Sequence, residues 1–300
     1  MSDLRGSTVE VEPLVVIEEA QVGVEEKKLG IGFWLSVAWI VFIIAVAVLV
    51  PWLPVKDPGE RFTDIQEKGF PPYAPSGDHW FGTDADARDM MSRTIWGARV
   101  SLVVGFAAIA FGFLVGGTIG LIGGFVKGWF DKLSSFVMIV LLSFPALILA
   151  ILITSLAERS LRTICLTIGV LSIAPVSRLA RSASLVFSER EFVMAARTMG
   201  AKPSHIMLRE LLPNVMIPMS ALALLGTAVA IVAEGGLAFL GLSVEKGDTW
   251  GKLILLGSGD LEEAPWISFT PIGALFLTVM ALNYAGDRLR DYFDVREISL

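Results

Sequence analysis

The sequence predicts an all-α membrane protein, a bundle of six spanning helices. Three observations carry this prediction. The chain is 54% hydrophobic and only 18% charged, whereas soluble domains average about 25% charged residues. Six long windows contain no charged residue at all. One of these windows repeats glycine at every fourth position, a spacing that brings helices close together in membranes.

The six charge-free windows are the candidate spans. They cover residues 29–55, 100–126, 133–157, 163–177, 211–233 and 264–286. Crossing a hydrocarbon core of about 30 Å takes about 20 apolar residues, and five windows are long enough. The fourth is short, but Arg162 and Arg178 flank it and can extend their stems along the apolar zone. Six spans are therefore expected.

The rest of the chain is divided by these spans. Residues 1–28 are acidic and too poor in apolar side chains to fold alone, which predicts a flexible tail. The run at 29–55 is too long for a signal peptide and is expected to remain as the first transmembrane helix. Residues 56–99 form an external loop with an interfacial helix, 100–286 a five-helix core that includes a loop at 181–213, and 287–300 a tail.

The basic residues predict the orientation. Under this topology Lys and Arg number 14 on one side and 10 on the other, a modest bias. Six of the 10 lie in the long first loop, which counts less than the short loops beside helix ends. Both termini and the loop at 181–213 are therefore placed in the cytoplasm.

Composition argues against several classes of function. A net charge of -6 disfavours nucleic-acid binding, and the single cysteine, Cys165, cannot form an intramolecular disulfide. His79 and His205 lack a second ligand at metal spacing. The internal Gly251–Lys252 pair has neither the glycine nor the hydroxyl residue of a phosphate-binding loop. No paired carboxylates or Ser/His arrangement indicate an intramembrane enzyme. We expect neither a cofactor nor a metal in this chain.

Glycine and proline predict features inside the spans. Four glycines put one bare face on the second helix, although glycine is also simply common in membrane helices: Gly112, Gly116, Gly120 and Gly124. Pro145 and Pro175 remove backbone hydrogen bonds and should kink their helices. Such kinks often line cavities, which makes Pro145 a pathway candidate, but a kink made only for packing is an equal alternative.

The segment EFVMAARTMGAKPSHIMLRELLPN, residues 191–214, predicts a helix, a turn and a second helix. The first apolar face comprises Phe192, Ala195, Ala196 and Met199. Gly200 suits the turn and Pro203 the next helix start. A second face comprises Leu208, Leu211 and Leu212, with Pro213 and Asn214 closing that helix. Small side chains at Ala195 and Ala196 would let a partner approach. A helix resting on the membrane surface explains the same spacing.

This segment resembles the EAA loop of bacterial ABC importer permeases. The matching residues are Ala195, Ala196, Gly200, Ile206, Leu212 and Pro213. Met194 stands where that family usually has the glutamate of the motif, and methionine cannot form the salt bridge expected there. Glu191 belongs with these coupling residues but is not assigned the role of the missing glutamate.

Four separated motifs narrow the resemblance to the second-subunit type of oligopeptide and dipeptide permease, over about residues 78–296. The first, residues 79–102, looks like a first-loop signature through Gly82, Thr83, Asp84, Arg88, Asp89, Arg93, Gly97 and Arg99. The others are residues 142–146, residues 234–251 and a terminal signature at 283–296. Trp80, Ala87, Ala238, Ser243 and Val295 depart from the family pattern.

Two of these motifs contain further site candidates. Thr83 followed by Asp86 resembles a capping box, and the side chains after it suit an interfacial helix: Met90, Met91, Ile95 and Trp96. That helix either only packs or forms an external rim that meets a binding protein. Glu234 closes an apolar run and is either a substrate-pathway residue or an interfacial anchor.

The resemblance implies a permease subunit of an ATP-driven importer in the bacterial inner membrane. Its partners would be a second related permease, two ATPase subunits or a fused ATPase, and an extracytoplasmic substrate-binding protein. ATP and Mg would bind in the ATPase partners. The expected cargo is oligopeptides or dipeptides, with glutathione, nickel chelates or another small solute as alternatives. A channel or a structural membrane subunit is a remote alternative.

Overall fold

A computed structural model describes residues 29–63 and 69–298, with side chains through residue 293. Within these ranges the secondary structure is helical, apart from one isolated bridge between Thr83 and Asp89. The expectation of an all-α fold is therefore confirmed. The predicted flexible tail at 1–28 lies outside the described residues.

The described chain folds into nine helices of eight or more residues, counting stretches with local π-helical turns as continuous, and a short 3-10 helix, Val50–Trp52, follows the first of them. They are α1 Gly30–Leu49, α2 Met90–Val126, α3 Gly128–Ser143, α4 Ala146–Leu156, α5 Leu161–Ser188, α6 Glu191–Thr198, α7 Pro203–Phe239, α8 Trp250–Gly257 and α9 Trp266–Ile298. Five of these are long and apolar enough to cross a bilayer. The α3–α4 pair makes a sixth span if it is counted as one.

The predicted third span is broken rather than merely kinked. α3 and α4 meet at an angle of 86°. Pro145 has no backbone N–H and its ring disfavours a helical conformation in the residue before it. Phe144 is accordingly extended, with ψ at 133°, and the helix restarts where Leu149 N donates to the Pro145 carbonyl.

The helix expected at the membrane interface is in fact the beginning of the second span. α2 starts at Met90 and runs for 37 residues, about 55 Å, so no separate helix ends at residue 99. The cap is also different from the one predicted. The Thr83 hydroxyl accepts from Tyr73 N, and the Asp89 carboxylate accepts from Ser92 N at 2.9 Å as the true N-cap.

Two other helices extend beyond their charge-free windows. α5 begins behind its Ser160 cap and ends at Ser188, with Pro175 inside it, so Arg178 lies well within the helix instead of flanking it. α9 continues past Gly286 to Ile298, so the segment predicted as a C-terminal tail from residue 287 is helical as far as Ile298. A charge-free window measures the lipid-compatible part of a helix, whereas backbone hydrogen bonding continues through charged residues.

The glycine repeat on α2 forms the contact with α5, as predicted. A Cβ on Gly112 would lie 2.7 Å from the Ser172 Cβ, and one on Gly124 would lie 2.7 Å from the Arg181 carbonyl oxygen. Gly116 and Gly120 face the α5 backbone even more closely. Because no side chain separates them, the two helices touch through their backbones.

The bundle has two distinct ends. Trp266 at the start of α9 donates to the Thr83 carbonyl oxygen at 3.0 Å, which places the first loop at one end. Phe125 at the end of α2 packs against α6, which places α6 at the other. Gly32 near the start of α1 lies against Tyr284 near the end of α9. α7 crosses the middle and shares apolar clusters with α2 and α5.

Candidate functional site: the α6 unit and the first loop

The turn after α6 is fixed by a glycine. Gly200 has φ of +80°, a conformation that costs other residues about 1–2 kcal/mol. Gly200 N donates to the Arg197 carbonyl and Ala201 N to the Ala196 carbonyl, each at 3.0 Å. This pair of bonds is the Schellman motif that terminates helices. The predicted helix–glycine–helix arrangement is therefore present.

The buried face of α6 differs from the predicted one. Val193 and Ala196 are buried and pack with Ile206 of α7 and Phe125 of α2. Ala195 and Met199 are exposed. α6 is only eight residues long, so the direction of its buried face is set by the turn that folds α7 back against it. Ala196 therefore cannot offer a partner its small surface, but Ala195 can.

The outer face of α6 leaves large apolar side chains uncovered. Met199 is 81% exposed, Met194 52% and Leu208 at the start of α7 55%. Methionine is enriched in the cores of protein interfaces. Three of the predicted coupling residues, Glu191, Gly200 and Pro213, are also exposed, whereas Leu212 is half-buried.

Pro213 does not end the second helix of the loop, contrary to the prediction. α7 passes through it without interruption because a π-helical turn at Ile206–Leu211 precedes it, and the proline lies in the first turn of the following α-helical segment. The side chain of Asn214 donates to the Glu210 carbonyl at 2.6 Å. The loop helix and the fifth span are therefore one 37-residue rod.

The first loop is held by a buried ion network. Arg93 is 1% exposed and forms an ion pair with Asp84. Its Nε and Nη2 donate to the two oxygens of Asp248 at 2.8 Å each. Asp84 also accepts from the backbone N–H of Arg88 at 2.8 Å. The network connects the first loop, α2 and the segment before α8.

Other residues of the first-loop signature are buried as well. One carboxylate oxygen of Asp89 lies at hydrogen-bond distance, 2.8 Å, from the His79 Nδ1, while the other caps α2. Gly82 has φ of +69°, and a side chain there would strike Trp266. Of the predicted rim, the half-buried Arg88 is the most accessible residue. Sequence reasoning did not pair Arg93 with Asp248, because 155 residues separate them.

The two pathway candidates lie in different settings. Glu234 is 1% exposed, and Ser243 Oγ donates to its Oε1 at 2.8 Å. Thr249, the cap of α8, lies 3.4 Å from the same hydroxyl. Glu234 therefore fastens the end of α7 to the start of α8. Pro145 is exposed at the break between α3 and α4.

Comparison with known proteins identifies the family of this chain. The family described as "Binding-protein-dependent transport system inner membrane component" matches residues 116–298, more than half of the sequence. The chain belongs to this family. It is thus a permease subunit of an ABC importer and a multi-pass inner-membrane protein. Among the residues that the structure describes, no group of three or more His, Cys, Asp or Glu could hold a metal.

Similar proteins cover most of this permease. The dipeptide transport system permease protein DppC of Alkalihalophilus pseudofirmus is 35% identical over 84% of this chain and 81% of its own. The glutathione transport system permease protein GsiD of Escherichia coli O1:K1 is 32% identical, over 85% and 84%. An inward-facing structure of the MetNI methionine ABC transporter has a TM-score of 0.57 at 20% identity, covering 68% and 97%. It supports the fold.

Proposed function

We propose that this permease forms half of the translocation pathway of an importer for oligopeptides or dipeptides. The observation that carries the proposal is the α6 unit, which comprises the helix Glu191–Thr198 and the turn at Gly200. This short helix packs against the bundle and leaves Met194 and Met199 exposed. An exposed apolar surface on a helix that is packed against the bundle is suited to bind a partner protein and to transmit its movement. The peptide cargo is inferred from the similarity to the dipeptide permease.

The α6 unit would transmit movement from an ATPase. Val193 and Ala196 pack against Ile206 and Phe125, so a force on α6 reaches α7 and the end of α2 together. We infer that α6 lies in a groove of an ATPase subunit, whose ATP-driven closure switches the bundle between inward-facing and outward-facing packings. The peptide enters in the outward-facing state and leaves in the inward-facing state.

The proposal includes an orientation of the chain in the membrane. With α6 in the cytoplasm, both termini are cytoplasmic as well, and the first loop faces the outside. The basic residues around α6 and at the C-terminus support this orientation. Since Thr83, Asp84 and Asp89 are buried, we infer that they maintain the shape of the rim and that neighbouring exposed residues meet the substrate-binding protein.

The complete transporter would contain three kinds of partner. A second related permease completes the pathway, two ATPase subunits or a fused ATPase bind ATP and Mg, and a substrate-binding protein delivers peptide. Binding-protein-dependent transport is stated in the family description itself. Pairing with a different permease, rather than with a second copy of this chain, is a further part of the proposal.

A pair of glycine variants tests the coupling role. Gly200→Val and Gly241→Val place the same residue in the same kind of turn, because Gly241 has φ of +73° and its own Schellman hydrogen bonds. Each substitution should cost about 1–2 kcal/mol locally. Only Gly200→Val should abolish uptake and weaken copurification with the ATPase. Normal coupled uptake by Gly200→Val would show that α6 is not the transmission point.

Glutathione is a second candidate cargo, because GsiD is similar over the same share of the chain. Uptake of a labelled dipeptide in the presence of excess unlabelled glutathione separates the two. If unlabelled dipeptide competes with the labelled dipeptide and glutathione does not, the result supports the peptide importer. If labelled glutathione is taken up and dipeptide is not, the proposal of a peptide importer is replaced by that of a glutathione importer.

A further inference from the structure

A cavity with both polar and apolar walls lies between α2, α3 and α5, in the half of the bundle nearer to α6. Its volume is about 430 Å³, within the range of about 300–1,000 Å³ typical of small-molecule sites. Four serines and two arginines contribute to its lining: Ser134, Ser135, Ser177, Ser182, Arg178 and Arg181. The remaining lining residues are Gly120, Met138 and Ile139, and two arginines in one cavity between membrane helices are unusual.

The cavity carries an unbalanced positive charge. Arg181 donates to both oxygens of Asp131, at 2.5 and 2.7 Å, so these two charges neutralise each other. Arg178 is exposed, and no hydrogen bond or ion pair to it occurs within the described part of the chain. None of the described residues that line the cavity is acidic. This charge is therefore available to an anion from outside the described part of the chain.

The position of Arg178 along α5 allows two kinds of anion. Arg178 directly follows the charge-free run 163–177, and Arg181, one turn further, is paired with Asp131 near the start of α3. Arg178 therefore lies at the end of the apolar part of α5, where a lipid phosphate or the carboxylate of a solute can reach it. The side of α5 on which Arg178 lies distinguishes between these two anions.

The face of α5 that carries Arg178 is unlike a lipid-facing surface. Pro175 and Ser182 lie three and four residues away and are exposed on the same side. A charged side chain facing lipid is costly, and such residues usually face a water-filled cavity or pathway. An exposed polar face on one subunit fits a pathway that a second subunit completes.

We propose that this cavity binds the carboxylate group of the transported solute. Arg178 would supply a charge-assisted hydrogen bond, and the hydroxyls of Ser177 and Ser182 would donate beside it. Arg181, held by Asp131, fixes the wall of the cavity. This inference rests on the proposed peptide cargo, since every unmodified peptide carries a terminal carboxylate.

A reporter thiol in the cavity tests the proposal without the substrate-binding protein. Cys165 is the only cysteine, so Ile139→Cys, at an exposed lining residue that is not a proposed ligand, gives this chain a single thiol in a Cys165→Ala background. Its rate of maleimide labelling is measured on this chain by mass shift, in the assembled transporter in nanodiscs. The probes are alanyl-alanine and its C-terminal amide. We expect saturable protection by alanyl-alanine and little by the amide.

Substitutions of Arg178 provide the second part of the labelling test. Arg178→Gln should weaken protection by about tenfold or more, the effect of losing a charge-assisted hydrogen bond, and Arg178→Lys should retain part of it. Lys132→Gln removes an exposed charge nearby on α3 and should change nothing. Equal protection by acid and amide, or protection unaffected by Arg178→Gln, would overturn the proposal.

Two further results separate this inference from its alternatives. If labelling depends on phosphatidylglycerol in the nanodisc and not on peptide, the cavity is a lipid site and the proposal is wrong. If the intact transporter takes up no dipeptide but alanyl-alanine still protects the thiol, the carboxylate site stands and the proposed peptide import fails. If the transporter takes up dipeptide but alanyl-alanine does not protect the thiol, the proposed peptide import stands and the carboxylate site is wrong.

Discussion

Replacing Arg93 by methionine should strongly destabilise the protein. Arg93 is nearly isosteric with methionine along its stem, but the substitution leaves the carboxylates of Asp84 and Asp248 without their shared cation. The side chain of Asp84 is 9% exposed and that of Asp248 14%, so water can solvate neither fully. Removing one partner of a buried ion pair costs about 3–5 kcal/mol. The expected loss for Arg93→Met lies in this range.

The measurement is the unfolding temperature of the purified protein in detergent, with chemical denaturation for the free energy. A loss of about 3 kcal/mol should lower the midpoint by about 6–12 °C. Adding Asp84→Asn and Asp248→Asn should restore most of the stability, because neutral amides tolerate burial better than unpaired carboxylates. The control is Arg61→Met, whose ion pair with Asp86 is exposed and worth at most about 1 kcal/mol. Equal stability of Arg93→Met and Arg61→Met would refute the reasoning.

Three further predictions concern packing and the α6 surface. Gly116→Leu should destabilise by about 1–3 kcal/mol in thermal unfolding, since a side chain there meets the α5 backbone, whereas Gly117→Leu faces open space and should not. Glu234→Gln should retain the bond from Ser243 and near-normal stability, but Glu234→Leu should lose about 1–3 kcal/mol because buried hydroxyls lose their acceptor; equal losses would contradict this. Met199→Asp should leave the unfolding temperature unchanged yet reduce copurification with the ATPase, and undiminished binding would remove this residue from the interface.

The α6 unit shows which structural features local sequence patterns can predict. Gly200 and Pro203 predicted the turn and the start of α7, because their backbone preferences act on neighbouring residues alone. The direction of the buried face was predicted incorrectly. Eight residues make barely two helical turns, and the choice of Val193 over Ala195 depends on where Ile206 returns.

Helix boundaries were predicted less well than helix positions. The windows at 100–126 and 211–233 lie within α2 and α7. Both helices are 37 residues long, about 55 Å, which is more than the thickness of a bilayer with its headgroups. Their extra turns contain Arg93 and Arg209, charges that a hydropathy criterion excludes but a helix tolerates.

The sequence by itself determined three features: that this is a membrane protein, the approximate positions of its spans, and the glycine face of α2. Each of these depends on properties of single residues or on fixed helical spacing. Only the tertiary structure decided the pairing of Arg93 with Asp248, the hydrogen bond from Ser243 to Glu234, and the lack of a partner for Arg178 among the described residues. Each of these depends on residues of different elements, and the distance between such residues is set by packing, on which sequence separation has no bearing.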